Sequence, residues 1–294
     1  MEPAPSAAVK LAQMIFRPTL FALALALALA WAAPVLAEPA PAAPSLELGV
    51  GVVVLTVPDY RGSDRYDVQA YPVPYAVYHS DHVQLSREGL RARIFSTERL
   101  SLSISGALNL TGRRDNPDRA GMPQLAPTLE IGPSLDYRLD EGERWSLRAR
   151  LPVRATISSD GFQWVGAVVA PHLRYDYDQK LDGSDIFYLA SLGGTWASSE
   201  YHQYYYGVAP QYAVNPSRPA YDAPSGYSGA RATLSATWRL GKWRVGAFAS
   251  NDWLEGVAFD ASPLLKTRDN LAGGLFVTCR LYARGREWVR EDDT

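Results

Sequence analysis

The sequence predicts an all-β fold, an antiparallel transmembrane β-barrel of about twelve strands with ten as the fallback, and three observations predict it. The first is alternation. In "RLSLSISGALNLTG" (99–112), Leu100, Leu102, Ile104, Leu108 and Leu110 fall on one side of an extended chain, and Ser101, Ser103, Ser105, Asn109 and Thr111 on the other. The second is the spacing of turn residues, which cuts the chain into strands joined by alternately short and long connections. The third is the placement of aromatic residues. Tyr137 and Trp145, Tyr175 and Tyr177, and Trp238 and Trp243 lie beside short connections on the apolar face, as rings held at one interfacial depth would. A soluble core has no reason to sort its rings to one end.

Taken in order, Leu46–Val57 is a first strand, followed by the turn-rich "PDYRGSDRYD" and a strand over Ala70–His79. His82–Glu88 and Leu90–Phe95 form a short pair, with Gly89 as a very tight outer turn. Counting that pair gives an even number and puts both termini at the same end. Arg99–Gly112 comes next. After the polar "RRDNPDRAGMPQLAP", strands follow over Thr128–Asp140 and Arg144–Ile157. Trp164–Asp178, Asp185–Ala197, Gly229–Leu240, Trp243–Leu254 and Asn270–Tyr282 complete the set. Short connections fall near 80–81, 96–98, 141–143, 179–184 and 241–242. Long ones cover 58–69, 113–127, 158–163, 198–228 and 255–269.

The N-terminus gives the compartment. Lys10 and Arg17 precede the apolar "TLFALALALALAWAAPVLA", which ends with small residues at the positions a signal peptidase reads, so residues 1–37 are expected to be a signal peptide cleaved after Ala37. Residues 38–45 are then a flexible leader, 46–282 the barrel and 283–294 a polar tail. An exported barrel belongs in the outer membrane of a Gram-negative bacterium, with its short turns in the periplasm and its longer loops outside. The formal charge of −2 gives no reason to expect nucleic acid as a partner, whereas outer-membrane lipid is the expected surroundings. Cys279 is the single cysteine, so no intrachain disulfide exists and packing with backbone hydrogen bonds must suffice.

The non-lipid face carries charge. Alternation over 144–157 sets Trp145, Leu147, Leu151 and Val153 on one side and Arg148, Arg150 and Arg154 on the other; Glu130 and Asp136 share the corresponding side of the preceding strand. These residues are expected to line the lumen, the arginines pairing with Glu130 and Asp136 and so rigidifying a filled lumen. An anion-selective constriction is the other arrangement such arginines allow. His172 falls on the same face.

Two short motifs resemble those of the MipA/OmpV family of outer-membrane proteins. "LELGVGVVVLTVPDYRGSDRY" followed by "YPVPYAVY" is similar to the family's opening strand, loop and second strand, the matching positions being Pro58, Asp59, Tyr60, Gly62 and Ser63, then Pro72, Pro74 and Tyr75. "RAGMPQLAPTLEIGPSL" resembles its Gly-Met-Pro segment, here Gly121, Met122 and Pro123. Read as residues, Pro58 and Gly62 shape a turn, and Pro72 and Pro74 remove ladder donors, which predicts a bulged or unpaired strand. A direct partner contact is the other use of the motif. The family commonly ends on an aromatic residue of its last strand; Tyr282 matches, but "ARGREWVREDDT" continues past it.

No catalytic constellation is legible. The four histidines are His79, His82, His172 and His202, and none sits in a nucleophile elbow, zinc spacing or phosphate loop. No cofactor or metal site is expected. The loop "EYHQYYYGVAPQYAVNPSRPAYDAPSGY" (200–227) is tyrosine-rich and is expected to fold over the barrel mouth; sugar or protein binding is the alternative. The expected function is therefore non-enzymatic. The resemblance implies a scaffold linked to peptidoglycan remodelling, with a murein hydrolase and a synthase as partners. A small-solute channel, or a role in adhesion or envelope stress, is the alternative.

Overall fold

A computed structural model describes residues 45–79, 83–86, 89–109 and 116–284. The expected signal peptide, His82 and the end of the polar tail lie outside them. The strands are β1 (Ser45–Pro58), β2 (Tyr66–His79), β3 (Val83–Ser86), β4 (Gly89–Ser96), β5 (Leu100–Asn109), β6 (Thr128–Gly142), β7 (Trp145–Ser158), β8 (Trp164–Val169), β9 (His172–Leu181), β10 (Ser184–Ala197), β11 (Gly226–Leu240), β12 (Trp243–Trp253) and β13 (Asp269–Arg284). Helix α1 (Ser199–Tyr206) lies between β10 and β11.

Each strand pairs antiparallel with its neighbour, and β1 pairs with both β2 and β13, so the ladder returns to its start. β8 and β9 are two halves of one stave. β7 pairs with β9 through Trp145–Arg150 and with β8 through Val153–Ile157, so thirteen strands make twelve staves. The expected single strand over 164–178 is thus broken, and Pro171 is the reason. It has no N–H to give the ladder, and the chain resumes pairing at His172.

Two other expectations are corrected. Ser86 and Gly89 are paired, so Gly89 is the first residue of β4 and not a turn by itself. β2 begins at Tyr66, four residues early, and runs in unshifted register with β1 through both Pro72 and Pro74. The bulge expected there is absent. On its other side β2 pairs with β3 only through Tyr78 and His79. The prolines therefore direct their missing donors toward the edge that has no ladder to lose among the described residues.

Burial follows the alternation, inverted from a soluble protein. Val52, Leu108 and Leu275 are 52%, 63% and 65% exposed, while Arg150 and Asp136 are 5% and 8% exposed. A water-soluble fold sorts these types the other way. The apolar outside and charged inside are those of an outer-membrane β-barrel. Ser103 and Ser105 are buried inward, so the opening strand's leucine face is its lipid face. Trp145, Tyr177 and Tyr188 oppose one another across β7, β9 and β10 beside the short turns. A second aromatic group that the sequence did not suggest, Trp164, Trp196, Tyr227 and Trp253, brackets the belt at the long-loop end, where Trp196 and Tyr227 rings lie 5.4 Å apart.

Candidate functional site

The barrel is filled differently at its two ends. Toward the short turns, alternation along β6, β7, β9 and β11–β13 points arginines and carboxylates at one another. Arg150 Nε meets Asp136 Oδ1 at 3.1 Å, and Arg174 holds Asp176 at 2.8 Å. Arg239 reaches Asp178 at 3.1 Å and Asp185 at 3.9 Å. Glu47 takes Arg244 at 2.5 Å and Arg280 at 3.3 Å. Arg148 lies opposite Arg174 in the ladder, within this layer. Each pair joins residues of one strand or of staves at most two apart, so the layer lines the wall of the lumen at this end. Higher up, Arg154 Nη1 meets Glu130 Oε2 at 3.4 Å, and Asn109 donates to the other oxygen of Glu130 at 2.7 Å.

At the long-loop end, apolar and aromatic side chains from several loops converge into the protein's buried hydrophobic cluster. Tyr201, Tyr205 and Tyr206 of α1 enter it with Tyr60, Leu254, Phe259 and Leu264. α1 forms here because Ser198 caps it. Its hydroxyl accepts from Tyr201 N at 3.4 Å and also from Ala167 N at 3.1 Å, tying the helix to β8. Gly166 at φ +144° lets the helix approach, since a Cβ there would lie 2.6 Å from Tyr201 N. Tyr206 stacks on Phe259 with centroids 3.6 Å apart, and its hydroxyl donates to the Arg61 carbonyl at 2.9 Å. The tyrosine-rich loop is a lid packed by its own rings.

The residues of the first family-like motif form the keystone of that lid. Pro58 ends β1. Asp59 is buried and accepts from Asn116 Nδ2 at 2.8 Å; Tyr60 donates to the Leu264 carbonyl at 2.7 Å. Gly62, at φ +91°, donates its N–H to Asn270 and accepts from Lys266 N and Thr267 N. Ser63 is fully buried, and its carbonyl accepts from Asn270 Nδ2 at 2.7 Å. Asn270 was not singled out from sequence, although it holds the turn from both sides. Gly121, at φ +79°, lets the second motif turn, Met122 packs against the hydrophobic cluster, and Pro123 accepts from Arg119.

Burial has moved the lid's protonation equilibria. Tyr205 is pushed up to about 12, and Tyr60 and Tyr206 are raised further, all chiefly by desolvation. His202 is fully buried, and burial lowers its pKa to about 4, with the Pro224 carbonyl pulling the other way and Arg61 adding to the fall. Its Nδ1–H donates to that carbonyl at 2.6 Å, and Nε2 has no partner among the described residues. A folded pKa below the unfolded value of about 6.5 means the lid's stability is whole above that pH. It falls as pH drops toward 4, by at most about 1.4 kcal/mol per unit. Proteolysis of the 199–225 segment should accelerate between pH 6.5 and 4, and His202→Asn should flatten that dependence.

Between lid and ion-pair layer lies a chamber of about 530 Å³. Its wall includes Arg61, Glu130, Arg154, His172, Arg231 and Asp252. Asp252 accepts from Arg61 at 2.9 Å and from both Nε and Nη2 of Arg231 at 2.8 Å. The sequence reading brought Glu130, Arg154 and His172 to the lumen face but missed Arg61, Arg231 and Asp252. His172 Nδ1 contacts the Ala170 carbonyl at 2.9 Å, and no carboxylate or hydroxyl bonds its ring among the described residues. The side chains of His79 and His82 lie outside what is described. No group of three metal-ligating side chains occurs among the described residues.

Residues 50–281 match the sequence pattern of a protein family described as "MltA-interacting protein MipA". No curated protein matches. Among solved structures, the chain is similar to the COG4313 outer membrane channel from Pseudomonas putida F1, with 13% identity, coverage of 85% of this chain and 99% of that one, and a TM-score of 0.35. It is also similar to OccAB1 of Acinetobacter baumannii (10% identity, 76% and 69% coverage, TM-score 0.30) and the outer membrane protease OmpT of Escherichia coli (8%, 84% and 97%, 0.28). Likenesses at this level carry no argument about activity.

Proposed function

Since the chain belongs to the MltA-interacting protein MipA family, we propose that this outer-membrane barrel works as a non-enzymatic scaffold of the cell envelope. In this reading it is exported by a signal peptide cleaved after Ala37 and holds a murein hydrolase, and a synthase with it, through its periplasmic turns and tail. The observation that supports a scaffold over a conduit is a lumen crowded by ion-paired side chains at one end and covered at the other. The Asp136–Arg150, Asp176–Arg174, Asp178–Arg239 and Glu47–Arg244 pairs line its wall with bulky, mutually held side chains at one end, and the tyrosine lid covers the other. The inward arginines Arg150 and Arg154 serve as structural partners of Asp136 and Glu130. The two family-like motifs shape the lid, outside the membrane, which leaves partner contact to the opposite end.

Crosslinking of intact envelopes followed by mass spectrometry tests the reading. Murein hydrolases and synthases should be enriched with the tagged barrel, and loss of the tail beyond Arg284 should reduce the yield. Recovery of the barrel without either enzyme class counts against it. In planar bilayers the purified protein should pass negligible current; steady single-channel conductance would favour a solute channel.

A further inference from the structure

The chamber wall is charged in a way that its composition conceals. Three guanidinium groups and three carboxylates line it, Arg61, Arg154 and Arg231 against Asp59, Glu130 and Asp252. They are not equally presented. The carboxylate side chains of Glu130 and Asp252 are 9% and 5% exposed and are covered by their hydrogen-bond donors, and Asp59 is turned to Asn116. The arginines stand in front of them. Arg231 keeps 46% of its side chain exposed although it points into the barrel, so that exposure is to the chamber. Arg231 spends Nε and Nη2 on Asp252, and Arg154 spends Nε on Ser105 and Nη1 on Glu130. Arg231 Nη1 and Arg154 Nη2 have no hydrogen-bond partner among the described residues. The rest of the polar lining is rich in hydroxyls, among them Ser191, Thr195, Thr233 and Ser250.

We propose that this chamber is a binding site for a small organic anion, a solute carrying a carboxylate or phosphate group, with Arg231 and Arg154 as its anchors. The volume is that of a pocket for a metabolite-sized molecule. The anchors are held in place by Asp252 and Glu130, so their remaining N–H groups are already oriented for an oxyanion. Partial enclosure by protein lowers the local dielectric and strengthens a charge-assisted bond relative to one in water. The hydroxyl-rich wall suits a polar remainder. This inference does not rest on the scaffold reading, because the chamber faces away from the periplasmic turns.

Titration calorimetry on the full-length barrel in a non-ionic detergent tests it, with sodium gluconate, inorganic phosphate and uncharged glucose as probes. Gluconate or phosphate should bind one per barrel, and glucose at least about tenfold more weakly. Arg231→Gln and Arg154→Gln should each weaken binding on the order of tenfold or more while Asp252 retains Arg61. If a charge-removing variant fails to fold, Ser250→Phe narrows the chamber with every charge kept and should weaken binding. The proposal is overturned if neither anion binds more tightly than glucose, or if folded Arg231→Gln and Arg154→Gln both bind the anions as the wild type does.

Discussion

Leu234→Arg should block barrel assembly, while Thr233→Arg, one residue away on the same strand, should be tolerated. Leu234 is 63% exposed on the outer face near the middle of β11; Thr233 lines the chamber. An arginine on the lipid face near the bilayer midplane costs roughly 2–4 kcal/mol, whereas one turned into a polar cavity keeps polar surroundings. That difference is comparable with a sizeable part of a domain's net stability. The folded fraction after refolding into vesicles, read from the gel-mobility shift between unheated and heated samples, measures it. Equal yields for the two variants would refute the assignment of faces.

Asp252→Ala is the second change with a large expected effect. Its carboxylate, 5% exposed, takes guanidinium groups from both Arg61 and Arg231. Removing it takes the carboxylate from a largely buried Arg61 and from Arg231, which faces the chamber, at a cost of roughly 1.5–3 kcal/mol. Asp260→Ala serves as the control. It breaks the Arg268 pair at 2.7 Å, in which both side chains are about half exposed, so it should cost less than about 1 kcal/mol. Thermal unfolding followed by tryptophan fluorescence separates the two. Because Arg61 belongs to the first long loop, Asp252→Ala should also loosen the lid, and proteolysis there should rise in parallel.

The wall of the barrel was legible because a strand has only two faces. Once Leu100 and Leu102 are put outward, Ser103 and Ser105 must go inward, and the same parity carries Asp136, Arg150 and Arg154 to the lumen. Even the Arg231–Asp252 pair was within reach. Counting back from the tight turn at Gly241 and Lys242, where Leu240 faces Trp243, brings Arg231 opposite Asp252. Pro171 likewise announced the break between β8 and β9. What alternation cannot encode is the meeting of loops. Arg61 reaches Asp252 across 191 positions of sequence, and Gly62 meets Asn270 across 208. Those contacts exist only once the staves have closed and set the loops side by side. The chamber was illegible for the same reason, since it is the volume left between a lid made of separate loops and a layer made of separate strands.

Glu47 has one consequence of a different kind. It sits on the first strand and binds Arg244 and Arg280 from the last two, across 197 and 233 positions. A growing, unclosed sheet cannot make these bonds, because one partner is at its leading edge and the others at its trailing edge. The seam is therefore a clasp fastened at the end of assembly. Interactions formed after the rate-limiting step act on the rate of coming apart and not on the rate of formation. A circle sealed in this way persists chiefly because it reopens slowly.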